Sequence, residues 1–170
     1  MKISMFARAA VAAALALTLA ACGSSGSGGS TTPAPGVTAS DAWVKAVDSG
    51  MTAAFLTLTN STGTDVTLVQ ASTPAAGMVE LHEMAMVDGQ MVMQPKKGGI
   101  LVKAGGTAVL EPGGDHIMLM ELAGPVKVGD DVALTLTFDD GSTLAVTAPA
   151  KEFDGGNESY QPSPSESMSM

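Results

Sequence analysis

Residues 78–94 read MVELHEMAMVDGQMVMQ, two alternating runs on either side of an Asp-Gly pair. Side chains of an extended strand alternate between two faces, so His82 and Met84 would share one face of the first run. An Asp-Gly pair between two such runs is typical of a tight β-hairpin turn. The segment therefore predicts two antiparallel strands that bring His82 and Met93 close together.

The chain on both sides of this hairpin has the same β character. Short β-branched or alternating runs are separated by turn signals rich in Gly, Asp and Asn, and no long stretch beyond the leader keeps a helical period. The predicted strands are Ala42–Val47, Ala53–Asn60, Val66–Ala71, Met78–Met86, Gln90–Gln94, Ile100–Val102, Thr107–Leu110, His116–Leu122, Asp131–Phe138 and Ser142–Thr147. Many short strands in one domain indicate an all-β fold, either a β-sandwich or a small Greek-key barrel.

The N-terminus has the features of an export signal. Two early positive charges, Lys2 and Arg8, precede a mostly apolar run that ends in Leu-Ala-Ala-Cys. This ending resembles a bacterial lipobox, in which the cysteine is lipidated and becomes the mature N-terminus. We expect Cys22 to carry the lipid and the protein to be extracytoplasmic, anchored to the cell membrane of a bacterium. An ordinary cleaved signal followed by a chance cysteine is the alternative.

Composition divides the chain into four parts. Residues 1–21 are the expected lipoprotein signal peptide, and residues 22–37 are a Gly/Ser/Pro-rich stretch that predicts a flexible tether. Residues 38–153 are the expected folded domain. Residues 154–170 are rich in Gly, Ser and Pro and predict a disordered tail.

Cysteine count and charge exclude several functions. Cys22 is the only cysteine, so its lipidation leaves no thiol for a disulfide, a Cys-based zinc site, a blue-copper centre or a nucleophile. The mature chain carries six lysines against seventeen acidic residues, a net charge of −11, which argues against nucleic acid and anionic lipid as partners. Membrane contact is therefore expected through the lipid anchor only. With two histidines and no persuasive Ser/His/Asp arrangement, we do not expect an enzyme.

Both histidines of the chain begin the same pattern, His-x-Met-x-Met. It occurs at His82 and again at His116, where Met118 and Met120 follow on the same strand face. Imidazole and thioether together are a soft ligand set, which selects Cu(I) over calcium or magnesium. Any one of these methionines is more simply explained as core packing, because methionine fills irregular gaps. The repeated combination favours a copper site.

The run from residue 78 to residue 122 resembles PCuAC, a family of periplasmic copper chaperones, and the likeness extends over about residues 38–149. A histidine, a methionine eleven positions later and a subsequent His-x-Met pair mark that family. Here they fall on His82, Met93, His116 and Met118. The gap from Met93 to His116 is one residue longer than the usual family spacing, which a glycine-rich loop could absorb.

The resemblance implies a cupredoxin-like Greek-key β-sandwich that binds Cu(I) near its surface through those four side chains. It also implies delivery to a cuproprotein, such as a cytochrome oxidase subunit or its assembly factor. Met84 and Met120 share strand faces with the histidines, so they are either pocket walls or accessory copper ligands. Whether Met168 and Met170 in the tail bind copper or are incidental stays open.

Two other functions remain open at this stage. A copper-sequestering or resistance lipoprotein would use the same ligands without a delivery partner. A non-metal β-sandwich lipoprotein of the cell envelope would keep both histidines as structural residues. Copper binding distinguishes the non-metal lipoprotein from the two copper-binding functions. Transfer of copper to a recipient distinguishes the chaperone from the sequestering protein.

Overall fold

The computed structural model describes residues 32–34 and 36–155, and within them it contains strands and no helix. The strands are β1 (Thr32–Pro33), β2 (Val37–Lys45), β3 (Thr52–Asn60), β4 (Val66–Ser72), β5 (Ala76–Val87), β6 (Gln90–Pro95), β7 (Ile100–Val102), β8 (Thr107–Leu110), β9 (His116–Leu122), β10 (Asp131–Phe138) and β11 (Ser142–Lys151). The predicted all-β fold is confirmed, and β7 to β10 match their predicted bounds to the residue. The described part of the chain holds no helix that could cross a bilayer.

The strands follow one hydrogen-bonded path that folds into two layers. Its order is β6-β5-β9-β3-β2-β11-β10-β4-β7, with β8 also paired to β3 and β1 to β11. β11 pairs antiparallel with β10 over most of its length and, at its end, in parallel with β2. β11 thus joins the layer that contains β5, β6 and β9 to the layer that contains β4, β7 and β10.

Period-two burial explains how the two layers make a core. In β10, every second residue from Val132 to Phe138 is buried, while the residues between them are exposed or half-buried. A strand with one face on a core shows this alternation. The opposite layer adds to the same core the buried side chains Leu56, Leu58, Leu81, Ile117 and Leu119.

The predicted hairpin joins β5 to β6 by a two-residue turn. Asp88 has a φ of 51° and Gly89 a φ of 82°. Positive φ at both central residues is the mark of a type I′ turn, whose twist matches that of the flanking strands. The register places Met84 opposite Met93 and Val87 opposite Gln90, so the hairpin prediction is confirmed.

Both ends of the described chain pack on the domain. Thr32–Pro33 pairs in parallel with the start of β11, and Ala34, which we placed in the tether, is buried in the core. At the other end, the Lys45 ammonium donates a hydrogen bond to the carbonyl of Gly155 at 2.6 Å, and Phe153 packs edge-on against Trp43. The signal peptide, Cys22, most of the tether and the tail beyond residue 155 lie outside the described residues.

Candidate metal centre

The two histidines lie directly opposite each other on adjacent strands. β5 and β9 pair antiparallel in a register that sets His82 against His116, with ring centroids 5.8 Å apart. Directly opposed residues project to the same face of a sheet, and so do their neighbours two positions away. Met84 of β5 and Met118 of β9 therefore lie on the same face as both imidazoles.

The hairpin brings β6 and its methionine to the same place. Met93 lies opposite Met84, and its Sδ is 3.0 Å from Nε2 of His116. Met93, Met118 and Met120 form a small buried cluster with Met84 packed against it, separate from the main core. The face that carries them is the outer one, because the alternating residues of the same strands enter the core between the layers.

A pocket of about 170 Å³ opens at this cluster. Met93, His116 and Met118 line it, as does Met51, which is 42% exposed. His82 is fully buried and does not line the pocket, although its ring stands against that of His116. The pocket therefore lies near the surface, as the family resemblance implies, but the four side chains themselves are buried.

The accessory residues Met84 and Met120 occupy different positions. Met84 is half-buried, lines the pocket and stands opposite Met93. Met120 is buried beside Met118 in the cluster and does not line the pocket. Of the two, only Met84 borders the space into which a metal ion would enter.

Each imidazole is oriented by a group that sequence reasoning missed. Nδ1 of His116 lies 3.0 Å from the carbonyl oxygen of Gly114, and Nε2 of His82 lies 2.9 Å from Oε2 of Glu80. A carbonyl only accepts, so Nδ1 of His116 carries the proton, and in the neutral ring Nε2 turns its lone pair toward Met93 Sδ. The period-two rule applied to Glu80 would have found one of these partners, since it lies two residues before His82.

An ion-pair network ties together the strands that carry the cluster. The Lys96 ammonium, just after β6, lies 2.8 Å from the carboxylate of Glu83 on β5 and 3.0 Å from that of Asp115, just before β9. Hydrogen bonds from Lys96 and Gln94 hold the pKa of Glu83 below its ordinary value. Partial burial acts to lower the pKa of Lys96, but its hydrogen bonds to the two carboxylates outweigh this and leave that pKa raised.

The donor set limits which metals fit. Within residues 32–34 and 36–155, no three His, Cys, Asp or Glu side chains converge as a metal site. The donors that do come together at this cluster are two imidazoles and methionine thioethers. Thioether and imidazole donors suit Cu(I), whereas calcium and magnesium require oxygen ligands.

Comparison with known proteins decides the family. Residues 37–150 match the family described as "Putative lipoprotein LpqE-like". The chain belongs to the LpqE-like family. It is also 42% identical over 163 residues to the "Putative lipoprotein Lxx21020" of Leifsonia xyli subsp. xyli (strain CTCB07), an alignment that covers 94% of this chain and 98% of that protein.

Solved structures similar to this LpqE-like chain are PCuAC domains and a Deinococcus protein. Apo-DR1885 from Deinococcus radiodurans is 35% identical, with a TM-score of 0.55, covering 88% of this chain and 98% of that one. The Cu(I) form of DR1885 is 34% identical, with a TM-score of 0.50, covering 74% and 83%. The copper-bound PCuAC domain of PmoF2, 16% identical with a TM-score of 0.56 over 69% of this chain and 93% of that one, shares the cupredoxin-like fold.

Removing the Lys96 side chain tests the network that ties these strands together. In Lys96→Ala, Glu83 and Asp115 lose their shared cation, so we expect the apo protein to lose about 1 kcal/mol of unfolding free energy, the upper end for partly exposed ion pairs. The midpoint of thermal unfolding should fall by a few degrees. The matched control is Lys97→Ala, one residue further on and exposed, without an ion pair among the described residues. Equal melting of the two variants would contradict the role given to Lys96.

Proposed function

We propose that this chain is an extracytoplasmic copper chaperone that binds one Cu(I) through His82, Met93, His116 and Met118. The observation that carries the proposal is the approach of Met93 Sδ to His116 Nε2, at 3.0 Å, in a pocket that Met118 also lines. In the neutral tautomer described above, both atoms present lone pairs to each other. A cation shared between them would turn this repulsion into coordination, and a soft ion suits both donors.

The comparisons supply independent support for copper. DR1885, which is about one-third identical to this chain, has been solved in a Cu(I) form as well as an apo form. A PCuAC domain of the same fold has been solved with copper bound. In the described part of the chain, both histidines lie on one face of the sheet with Met84, Met93, Met118 and Met120, so imidazole and thioether donors are close together there.

The donor chemistry suits a protein that exchanges its copper. Neutral thioethers bind Cu(I) without releasing protons and, unlike thiols, do not form disulfides outside the cytoplasm. The pocket is bordered by the partly exposed Met51, so a recipient's ligand can approach the ion from that side. His82, behind His116, is the most buried of the four donors and would keep the ion until the others have exchanged.

We propose that Met84 is an accessory ligand or pocket wall and that Met120 packs behind Met118. Met84 borders the pocket and Met120 does not, which gives them these different roles. Met168 and Met170 lie outside the described residues, and we assign them no copper.

The proposed recipient is a cuproprotein of the same compartment, with the cytochrome oxidase copper centre as the first candidate, reached through an oxidase subunit or its assembly factor. A sequestering lipoprotein is the second candidate function, because burial of all four donors also favours retention.

Substitution of the ligands tests the site. We expect His116→Ala and His82→Ala each to weaken Cu(I) binding by at least about 100-fold, because imidazole is the strongest donor present. Met93→Leu and Met118→Leu should weaken it less, since Met84 can substitute for a lost thioether and leucine nearly preserves the volume. Competition with a chromophoric Cu(I) chelator measures the affinities, and the wild-type stoichiometry should be one tight equivalent.

Thermal melts of the same apo variants separate ligation from structure. Both histidines are buried, so alanine leaves a cavity and we expect a loss of about 1–3 kcal/mol rather than the negligible effect of a surface position. Folded histidine variants that bind Cu(I) with wild-type affinity would refute the site as drawn and leave the histidines as structural residues.

Delivery and sequestration differ in what happens to the bound ion. We expect the Cu(I)-loaded chain to transfer its copper to the apo copper-binding subunit of cytochrome oxidase faster than a small-molecule Cu(I)–chelator complex does. The reason is that ligand exchange within a protein complex avoids release of the ion to solvent. After separation of the two proteins, the copper content of each measures the transfer, and oxidation of the recovered subunit by added ferricyanide then gives the optical and electron paramagnetic signals of the filled centre. Retention of the copper by the chain in the presence of excess apo subunit would favour sequestration instead.

The lipid anchor is tested apart from copper. We expect Cys22→Ser to release the protein from the membrane fraction while leaving Cu(I) affinity unchanged, because residue 22 precedes a Gly/Ser/Pro-rich stretch and supplies no ligand. Membrane fractionation and chelator competition measure the two effects. A Cys22→Ser protein that stays on the membrane would overturn the anchor, and one with much weaker copper binding would bring the N-terminal segment into the site.

A further inference from the structure

Two methionines at the tip of the hairpin are exposed, unlike those of the cluster. Met86 on β5 is 66% exposed and Met91 on β6 is 51% exposed. Core packing explains the buried Met93 and Met118, but it does not explain side chains that remain in water. Met86 and Met91 do not border the pocket, and the four-ligand site makes no use of them.

The hairpin register sets these two methionines side by side. Met86 lies directly opposite Met91, one step from the turn, and Val87 opposite Gln90 is the pair next to the turn. In a two-residue hairpin the pair beside the turn exchanges the hydrogen bonds, so the next pair is non-hydrogen-bonded, with Cα atoms about 4.5 Å apart and close side chains. The two thioethers can therefore meet over one face of the hairpin.

The same face leads from the tip to the proposed copper site. Met84 and Met93 are the next pair of this kind, about 7 Å further along the strands at two residues per step. Exposure falls along this path, from the exposed Met86 and Met91, through the half-buried Met84, to the buried Met93, whose Sδ lies 3.0 Å from His116. Met84 lies between the exposed tip and the buried cluster, because it borders the pocket and is two residues from Met86 on the same strand face.

We propose that Met86 and Met91, with Met84, form a second and weaker Cu(I) site that loads the inner one. The inference rests on the proposed function, since it assumes that Cu(I) is the cargo. The outer site has only thioether ligands, so we expect it to bind Cu(I) more weakly and exchange it faster than the inner site, which also has imidazole ligands. In each transfer step one neutral donor, a thioether or an imidazole, replaces another on the ion; copper stays Cu(I), and the neutral donors exchange no proton.

Methyl resonances of the methionines report the two sites separately. The intact mature chain, with carbon-13 in its methionine methyl groups, would be titrated with Cu(I) alone under anaerobic conditions. We expect the signals of Met93 and Met118 to shift during the first equivalent, and those of Met86 and Met91 to shift together during the second. Movement of the first pair only would overturn the outer site while leaving the proposed function intact. If neither pair moves, the proposed function fails as well.

Loading kinetics test whether the outer site is used. In Met86→Leu/Met91→Leu, we expect the affinity of the tight equivalent to stay within about twofold of wild type, and loading from a Cu(I)–chelator complex to slow by at least about threefold. Leucine keeps the apolar bulk, so the hairpin should remain folded. The matched control is Met78→Leu, because Met78 is 44% exposed on the same strand face of β5 but lies at its other end. Equal loading rates in the double variant and the control would refute the loading role.

Discussion

The candidate site depends on one constraint, the antiparallel register that sets His82 against His116. Side chains alternate with a period of two, so a slip of one residue between β5 and β9 would move one histidine to the core face of the sandwich. The adjacent residues Leu81 and Ile117 prevent this slip, because they are buried in the core between the layers. Burial of aliphatic side chains on one face thus positions imidazole and thioether donors on the other.

The hairpin and Lys96 complete the arrangement that this register begins. The type I′ turn at Asp88 and Gly89 places Met93 beside β5, where its sulfur reaches the His116 ring. Lys96 then ties the end of β6 to β5 and to the loop before β9 through two carboxylates. The site is consequently preorganised by the sheet, while the methionine side chains keep enough torsional freedom to exchange a bound ion.

Reading the sequence was most successful where local rules apply. Turn signals and period-two alternation predicted the strands, and the bounds of β9 were correct because His116–Leu122 lies between a glycine turn and Ala-Gly-Pro. The reading was less successful at the ends of the domain. Ala34 is buried although Gly/Ser/Pro composition predicted a tether there, because β1 finds a partner in β11 more than a hundred residues away. Composition carries no information on such a pairing.

The amino-acid sequence by itself determined the β class of the fold and the hairpin, because alternation and Asp-Gly turns are local properties. The four proposed donors were identified through the resemblance to PCuAC and remain a proposal. Only the tertiary structure decided that β5 and β9 are neighbours, that His82 is fully buried behind His116, and that Glu80, Gly114 and Lys96 position the site. Two strands about 30 residues apart along the chain can be neighbours in some of the strand orders that connection rules allow and not in others. The choice among them is made by packing of the whole core, which no short stretch of sequence contains.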